Sequence, residues 1–205
     1  MKLTPELFLE RNDHSLLKPT LTIKDMTEGL EFAAKVKCGA VCISPHRLWL
    51  AKDVLQGTDV DIATVIGFPT GTHSTKSKIA EAQLAIEDGA SDLDMVMDIG
   101  AMLSGEYQMV QDDMAGVVHA APGHNVKVIL EVDYLNDELI AKACQLATDA
   151  GVAYVKTSTG FVPGGANAHN IGLMRMSAGA NVKVKASGGL STLAEVQAVF
   201  DAGAD

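Results

Sequence analysis

Two aspartates and three lysines stand where a buried strand would ordinarily carry only apolar side chains. Asp92-Leu93-Asp94-Met95-Val96 places two acids on one side of an apolar run. Tyr154-Val155-Lys156 places a lysine in mid-strand, and Val182-Lys183-Val184-Lys185-Ala186 places two on one face. Burying such groups costs several kcal/mol unless they are paired or used. If the strands of Lys156 and Lys185 are neighbours, their ammonium groups repel, and burial penalises the charge further. Both effects lower a lysine pKa and leave free amine near neutral pH. A free amine adds to a carbonyl to give a Schiff base, and Asp94 is placed to exchange protons with the intermediate. The alternative for each lysine is structural, a buried salt bridge or a side chain snorkelling at a strand end. Three such residues on three strands of one barrel favour a site.

Two glycine-rich segments follow these lysines, Thr157-Ser158-Thr159-Gly160 with Pro163-Gly164-Gly165, and Ser187-Gly188-Gly189. Their backbone N–H groups can form an anion-binding nest, or the glycines can serve only as turns. The six histidines show no close metal-ligand spacing, so a zinc-dependent mechanism is not expected and no cofactor is called for. Cys42 falls on a strand, where a buried inert thiol is the expected role.

Positioning these groups takes a repeated unit. Five amphipathic stretches end in glycine, at Gly39, Gly89, Gly151, Gly179 and Gly203, each followed by Ala or Val. Glycine there is expected to take the left-handed helix cap. Apolar runs predict strands near 14–18, 40–44, 62–67, 92–97, 126–131, 153–158 and 182–186, and helical patterns occupy 24–37, 75–88, 107–119, 137–149 and 192–202. The last helix opens on Ser191-Thr192-x-x-Glu195, a capping box. Strands alternating with helices predict a parallel α/β sheet covered on both faces. The reading is a (β/α)8 TIM barrel over 1–205 as one domain, with its eighth strand and final helix missing after Asp205. An open doubly wound sheet is the alternative, though the first strand–helix turn has no G-x-G-x-x-G.

The 205 residues suffice for one domain of usual size. Hydrophobic residues make up 47% and charged residues 20%, which argues against disorder. A formal net charge of −10 makes DNA, RNA and anionic lipid poor partners, and no apolar run approaches a membrane span. A small phosphate ester remains possible where the few lysines gather. Three cysteines and no signal-peptide core fit a reducing, cytoplasmic location.

With these residues in order, the sequence resembles the deoxyribose-phosphate aldolases over nearly its whole length. Asp13-His14-Ser15-Leu16-Leu17-Lys18-Pro19 is similar to the family's opening DHTLLKP, with Ser15 where Thr is usual. Ala40 to Pro45, Gly67-Phe68-Pro69 with Thr75, Lys78 and Glu81, the acidic strand 92–96, KTSTGF from Lys156 and KASGG from Lys185 follow in the family's order. The resemblance implies a metal-free class I aldolase that cleaves 2-deoxy-D-ribose 5-phosphate to D-glyceraldehyde 3-phosphate and acetaldehyde. It implies that Lys156 forms the Schiff base, that Lys185 depresses its pKa, and that Asp94 relays protons. Gly160, Gly188 and Gly189 would hold the phosphate, Asp13, Ser15 and Cys42 would line the pocket, and Thr157 would join the substrate-binding residues. A homodimer is a further expectation. Val132 replaces the family's frequent Thr, Asp98 its frequent Asn, and the family's R-I-G-T-S-S strand is not found. Two other readings stay open: a Schiff-base lyase for a different phosphorylated aldehyde, and a phosphate-sugar-binding barrel fragment without catalysis.

Overall fold

A computed structural model describes residues 2–205. Seven parallel strands form one sheet in the order β1 to β7. They are β1 (Asp13–Leu16), β2 (Ala40–Ile43), β3 (Asp61–Ile66), β4 (Asp92–Val96), β5 (Asn125–Ile129), β6 (Tyr154–Lys156) and β7 (Lys183–Lys185). Between and around them run α1 (Pro5–Arg11), α2 (Ile23–Val36), α3 (Leu48–Val54), α4 (Thr75–Glu87), α5 (Ile99–Leu103), α6 (Tyr107–Ala120), α7 (Asp137–Asp149), α8 (Ala168–Ser177) and α9 (Leu193–Asp201).

The sheet curls into an incomplete barrel. Side chains from strands that do not adjoin meet inside it: Lys127 of β5 lies 3.8 Å from Asp13 of β1, and Cys42 of β2 lies 4.0 Å from Asp94 of β4. β1 and β7 are not paired with each other, and no eighth strand is found among the described residues. Asp205 lies beside β7, where its N–H donates to the Val184 carbonyl at 2.9 Å and its carboxylate accepts from Val184 N–H at 2.8 Å.

Two-residue alternation divides the strands' side chains between two environments. Outward residues such as Val41, Ile43, Leu93, Met95, Val128 and Val155 join the main apolar core beneath the helices. Inward residues on β2 and β3 are small, with Cys42, Ala63 and Val65 packed by Leu17 and Phe68. Inward residues on β4 to β7 are the charged ones.

The predicted helix starting near 192 is capped as expected, with Thr192 and Glu195 forming a capping box; Thr22 and Asp25 form another at α2. Four helices escape the periodicity. α1, α3 and α5 are seven, seven and five residues long, too short to show a period. α8 contains Gly172 and buries only Ile171 and Met174. Among the five glycines expected to cap helices, Gly89, Gly151 and Gly203 have positive φ. Gly39 does not: Lys37 takes the left-handed position with φ 56°, and a Cβ at 39 would lie 2.1 Å from the Glu10 carbonyl oxygen. There the glycine permits close backbone approach of α1. Trp49 is more than half exposed on α3.

Candidate active site

Lys156 ends β6 and Asp94 sits in the middle of β4, both buried and both inward. The Lys156 ammonium donates a short hydrogen bond to Asp94 Oδ2. Asp94 Oδ1 accepts from Lys127 Nζ at 3.1 Å, and Lys127 reaches Asp92 Oδ2 at 2.6 Å. Lys185 turns the other way: its Nζ lies 2.6 Å from Asp13 Oδ1 and donates to the Arg11 carbonyl at 3.0 Å. Three carboxylates, Asp13, Asp92 and Asp94, thus face three ammonium groups, Lys127, Lys156 and Lys185.

This arrangement corrects the expected electrostatics. Lys156 and Lys185 are register partners on adjacent strands, but each is held by its own carboxylate. Burial works against charge on Lys156, yet the Asp94 carboxylate first, and Asp13 after it, hold its pKa above the usual lysine value. Burial likewise opposes charge on Asp94, and Lys156 and Lys127 overcome it, holding the carboxyl down to about 2. In the unliganded protein the pair is therefore ammonium and carboxylate. Cys42 is pushed up to about 12, by burial first and by the Asp94 charge second, which keeps it a neutral thiol.

A cavity of about 420 Å³ opens at Lys156. It is lined by the polar residues Lys156, Lys185, Asp13, Ser15 and Ser158, by Cys42 and by the glycines 160, 188 and 189. Leu3, Phe8, Val184, Val199 and Phe200 add apolar lining. Gly160, Gly188 and Gly189 have φ of 79°, 75° and 72°. That left-handed backbone suits glycine and turns successive N–H groups to one side.

Ser187 joins the two glycine-rich loops. Its hydroxyl donates to the Ser158 carbonyl at 2.6 Å and accepts from Ser158 N–H at 3.1 Å. Thr157 belongs to this seam and not to the cavity wall. It is fully buried, donating to the Ser187 carbonyl at 2.8 Å and accepting from Ser187 N–H at 2.9 Å. The other predicted residues, Asp13, Ser15, Cys42, Lys156, Lys185, Gly160, Gly188 and Gly189, all line the cavity, and Asp94 lies directly behind Lys156.

Two buried residues at this site were not singled out from the sequence. Lys127 interrupts the apolar run Val126-Lys127-Val128-Ile129, the same signal that marks Lys156. Glu131 has φ 53°, and its carboxylate accepts from Thr159 N–H at 3.2 Å and from the Thr159 hydroxyl, which anchors the loop after Lys156. No local pattern marks Glu131. Among the described residues no group of three or more His, Cys, Asp or Glu is arranged to hold a metal ion.

The family model for DeoC/LacD family aldolases matches residues 8–204. The chain belongs to that family. A deoxyribose-phosphate aldolase of Clostridium botulinum (strain Kyoto / Type A2) is 45% identical over 192 residues, covering 94% of this chain and 91% of the relative. A putative deoxyribose-phosphate aldolase from Coccidioides immitis superposes with a TM-score of 0.96 at 36% identity, over 99% of this chain and 81% of that one. A deoxyribose phosphate aldolase from Aeropyrum pernix, described as a unique tetrameric structure, gives 0.90 at 30% identity, over 98% of this chain and 86% of that one. The fold is therefore that of an aldolase family member. No helix among the described residues is long and apolar enough to cross a membrane.

Proposed function

We propose that this aldolase cleaves 2-deoxy-D-ribose 5-phosphate reversibly to D-glyceraldehyde 3-phosphate and acetaldehyde through a Schiff base on Lys156. The observation that carries the reading is the Lys156–Asp94 pair, buried but opening on a cavity that is also lined by glycine-rich backbone. The short hydrogen bond sets up the first step. As the substrate carbonyl displaces local charge, the Lys156 ammonium passes its proton to Asp94 Oδ2. The free amine then attacks C1. Asp94 returns the proton to the carbinolamine hydroxyl, which leaves as water, and a protonated imine remains.

That cation withdraws electrons. The C3 hydroxyl loses a proton to Asp94, directly or through water, and the C2–C3 bond breaks. Its electron pair enters the C1–N system as an enamine, and glyceraldehyde 3-phosphate departs. The enamine takes a proton at C2, and water hydrolyses the resulting imine to acetaldehyde and free Lys156. Asp13 and Lys127 keep positive and negative charges matched around the cation. Lys185, held by Asp13, and the glycines 160, 188 and 189 supply the anion-binding end for the 5-phosphate. The iminium serves as electron sink, so these steps call for no bound cofactor. A homodimer in the cytoplasm belongs to the same proposal; the three cysteines are free thiols in the structure.

The ammonium form in which Asp94 holds Lys156 favours a second reading, sugar-phosphate binding without turnover. Borohydride reduction in the presence of acetaldehyde, followed by peptide mass spectrometry, separates the two. An N-ethyl adduct confined to Lys156 is the expected result. Absence of a selective adduct would overturn the Schiff-base assignment.

A further inference from the structure

The steps above leave Asp92 without a role, although it makes the shortest contact of the Lys127 ammonium. Lys127 Nζ lies 2.6 Å from Asp92 Oδ2, 3.1 Å from Asp94 Oδ1 and 3.8 Å from Asp13 Oδ2. Asp92 is buried, and its other oxygen, Oδ1, accepts from the Asn125 side-chain amide at 2.9 Å. Both its oxygens are therefore fixed. It precedes Asp94 by two residues on β4, so the two carboxylates share a face and approach the same ammonium from successive levels of the barrel.

We propose that Asp92 is a positioning residue: it draws the Lys127 ammonium toward its own level of the barrel and so leaves Asp94 able to take the proton of the C3 hydroxyl during cleavage. The argument is one of competition. An ammonium shared among carboxylates stabilises each anion less than an ammonium committed to one. Without Asp92, Lys127 settles wholly on Asp94. The interior then also holds three ammonium groups against two carboxylates. Both changes make the Asp94 anion more stable and a weaker base. The same excess of positive charge disfavours the ammonium form of Lys156, so amine attack on a carbonyl is not impaired. Asp92 thus acts on removal of the C3 hydroxyl proton, where a weaker Asp94 base is not offset, and not on imine formation, where the weaker base meets a more acidic Lys156. Other charged or polar groups near Asp92 are Asp61 on β3, Asp13 on β1 and Tyr154 on β6, over whose ring Lys127 lies at 5.8 Å. None of them is placed to substitute for its two fixed contacts.

The inference rests on the Schiff-base reading, and the experiment separates the two. Wild type, Asp92→Asn and Asp92→Glu are compared by steady-state cleavage of deoxyribose 5-phosphate and by borohydride trapping with acetaldehyde. In Asp92→Asn, kcat is expected to fall about tenfold or more with KM within about twofold, while the N-ethyl yield on Lys156 stays at the wild-type level or rises. Asp92→Glu should restore kcat to within about threefold of wild type. If Asp92→Asn does not fold, Asn125→Ala, which frees one oxygen of Asp92 and strands no charge, should lower kcat by about threefold with trapping intact. An unchanged kcat in the folded Asp92→Asn, or in Asn125→Ala where only that variant folds, overturns the proposal. So does a loss of trapping in step with kcat, or an Asp92→Glu variant as slow as Asp92→Asn. Absence of trapping in wild type overturns the Schiff-base reading itself.

Discussion

Of the three buried lysines that make short ion pairs among the described residues, Lys78 and Lys156 differ most: only Lys156 faces a cavity. Lys78 on α4 is fully buried; its ammonium lies 2.6 Å from Asp113 Oδ2 and donates to the Val96 carbonyl at 3.0 Å. Asp113 accepts a further hydrogen bond from the Thr75 hydroxyl at 2.8 Å. Carboxylate, carbonyl and hydroxyl close that site completely, and it fastens α4 and α6 to the end of β4. Lys156 is held by Asp94, keeps a side-chain exposure of 10%, and opens on the cavity. Asp94 has a second ammonium, Lys127, in reserve. Burial and charge pairing are common to both lysines. What differs is whether a molecule in the cavity can reach the nitrogen and whether the carboxylate has a second ammonium beside it.

The sharpest test exchanges each lysine for an apolar residue of similar length. Lys156→Leu should reduce cleavage by about 10³-fold or more yet unfold at nearly the wild-type denaturant concentration, because Asp94 keeps Lys127. Wild-type turnover in that variant would put the reactive amine elsewhere. Lys78→Met should behave in the opposite sense. It strands Asp113 as a buried unpaired charge, at a cost of about 3–5 kcal/mol in urea unfolding, while the folded fraction keeps its kcat. If Lys78→Met also lost kcat in its folded fraction, the separation of structural from functional pair would fail.

Acid titration probes the same contrast with a smaller effect. The folded pKa of Asp94, near 2, lies below its unfolded value near 3.9. The stability it contributes is complete above pH ~5 and is lost as pH falls through 2, to the extent of about 2–3 kcal/mol. Lys156 and Lys127 are shifted upward, so their contribution holds below the unfolded lysine value near 10.4 and fades at higher pH. Thermal unfolding followed from pH 7 down to pH 3 should therefore show a slope that is shallower in Asp94→Asn. Equal slopes would mean that Asp94 is not ionised against these lysines. The smallest effect is expected at the closed pair. Thr75→Val removes a single hydroxyl from Asp113 and should cost about 1.5 kcal/mol in chemical denaturation, without change in KM.

Much of the site was legible from residue type alone. Charged residues inside apolar strands pointed to Asp94, Lys156 and Lys185, and glycines after the last two strands pointed to the cavity wall. Lys127 carried that signal too, in Val126-Lys127-Val128. Glu131 carried none, since its role depends on a left-handed backbone and on Thr159 across the loop. Thr157 looked like its neighbours in the motif, but its hydroxyl is used up by the Ser187 backbone. The glycine at 39 illustrates the same limit: the sequence marked a helix end, and contact with α1 supplied the reason.

Hydrophobic periodicity by itself determined the seven strands and the side of each strand on which the charged residues lie; the sequential order of the strands is read from the sheet. Alternation within a strand is local, so it can be read without knowing the neighbours. Only the tertiary structure decided which carboxylate each lysine meets. Register and curl bring β1 to β5 and β4 to β6 across the barrel interior, and those distances are set by the whole sheet. A pairwise rule of repulsion between Lys156 and Lys185 gives way to that arrangement. At 2.6 Å the Asp13 carboxylate claims Lys185, the Asp94 carboxylate claims Lys156, and in a buried interior the nearest opposite charge outweighs the next ammonium.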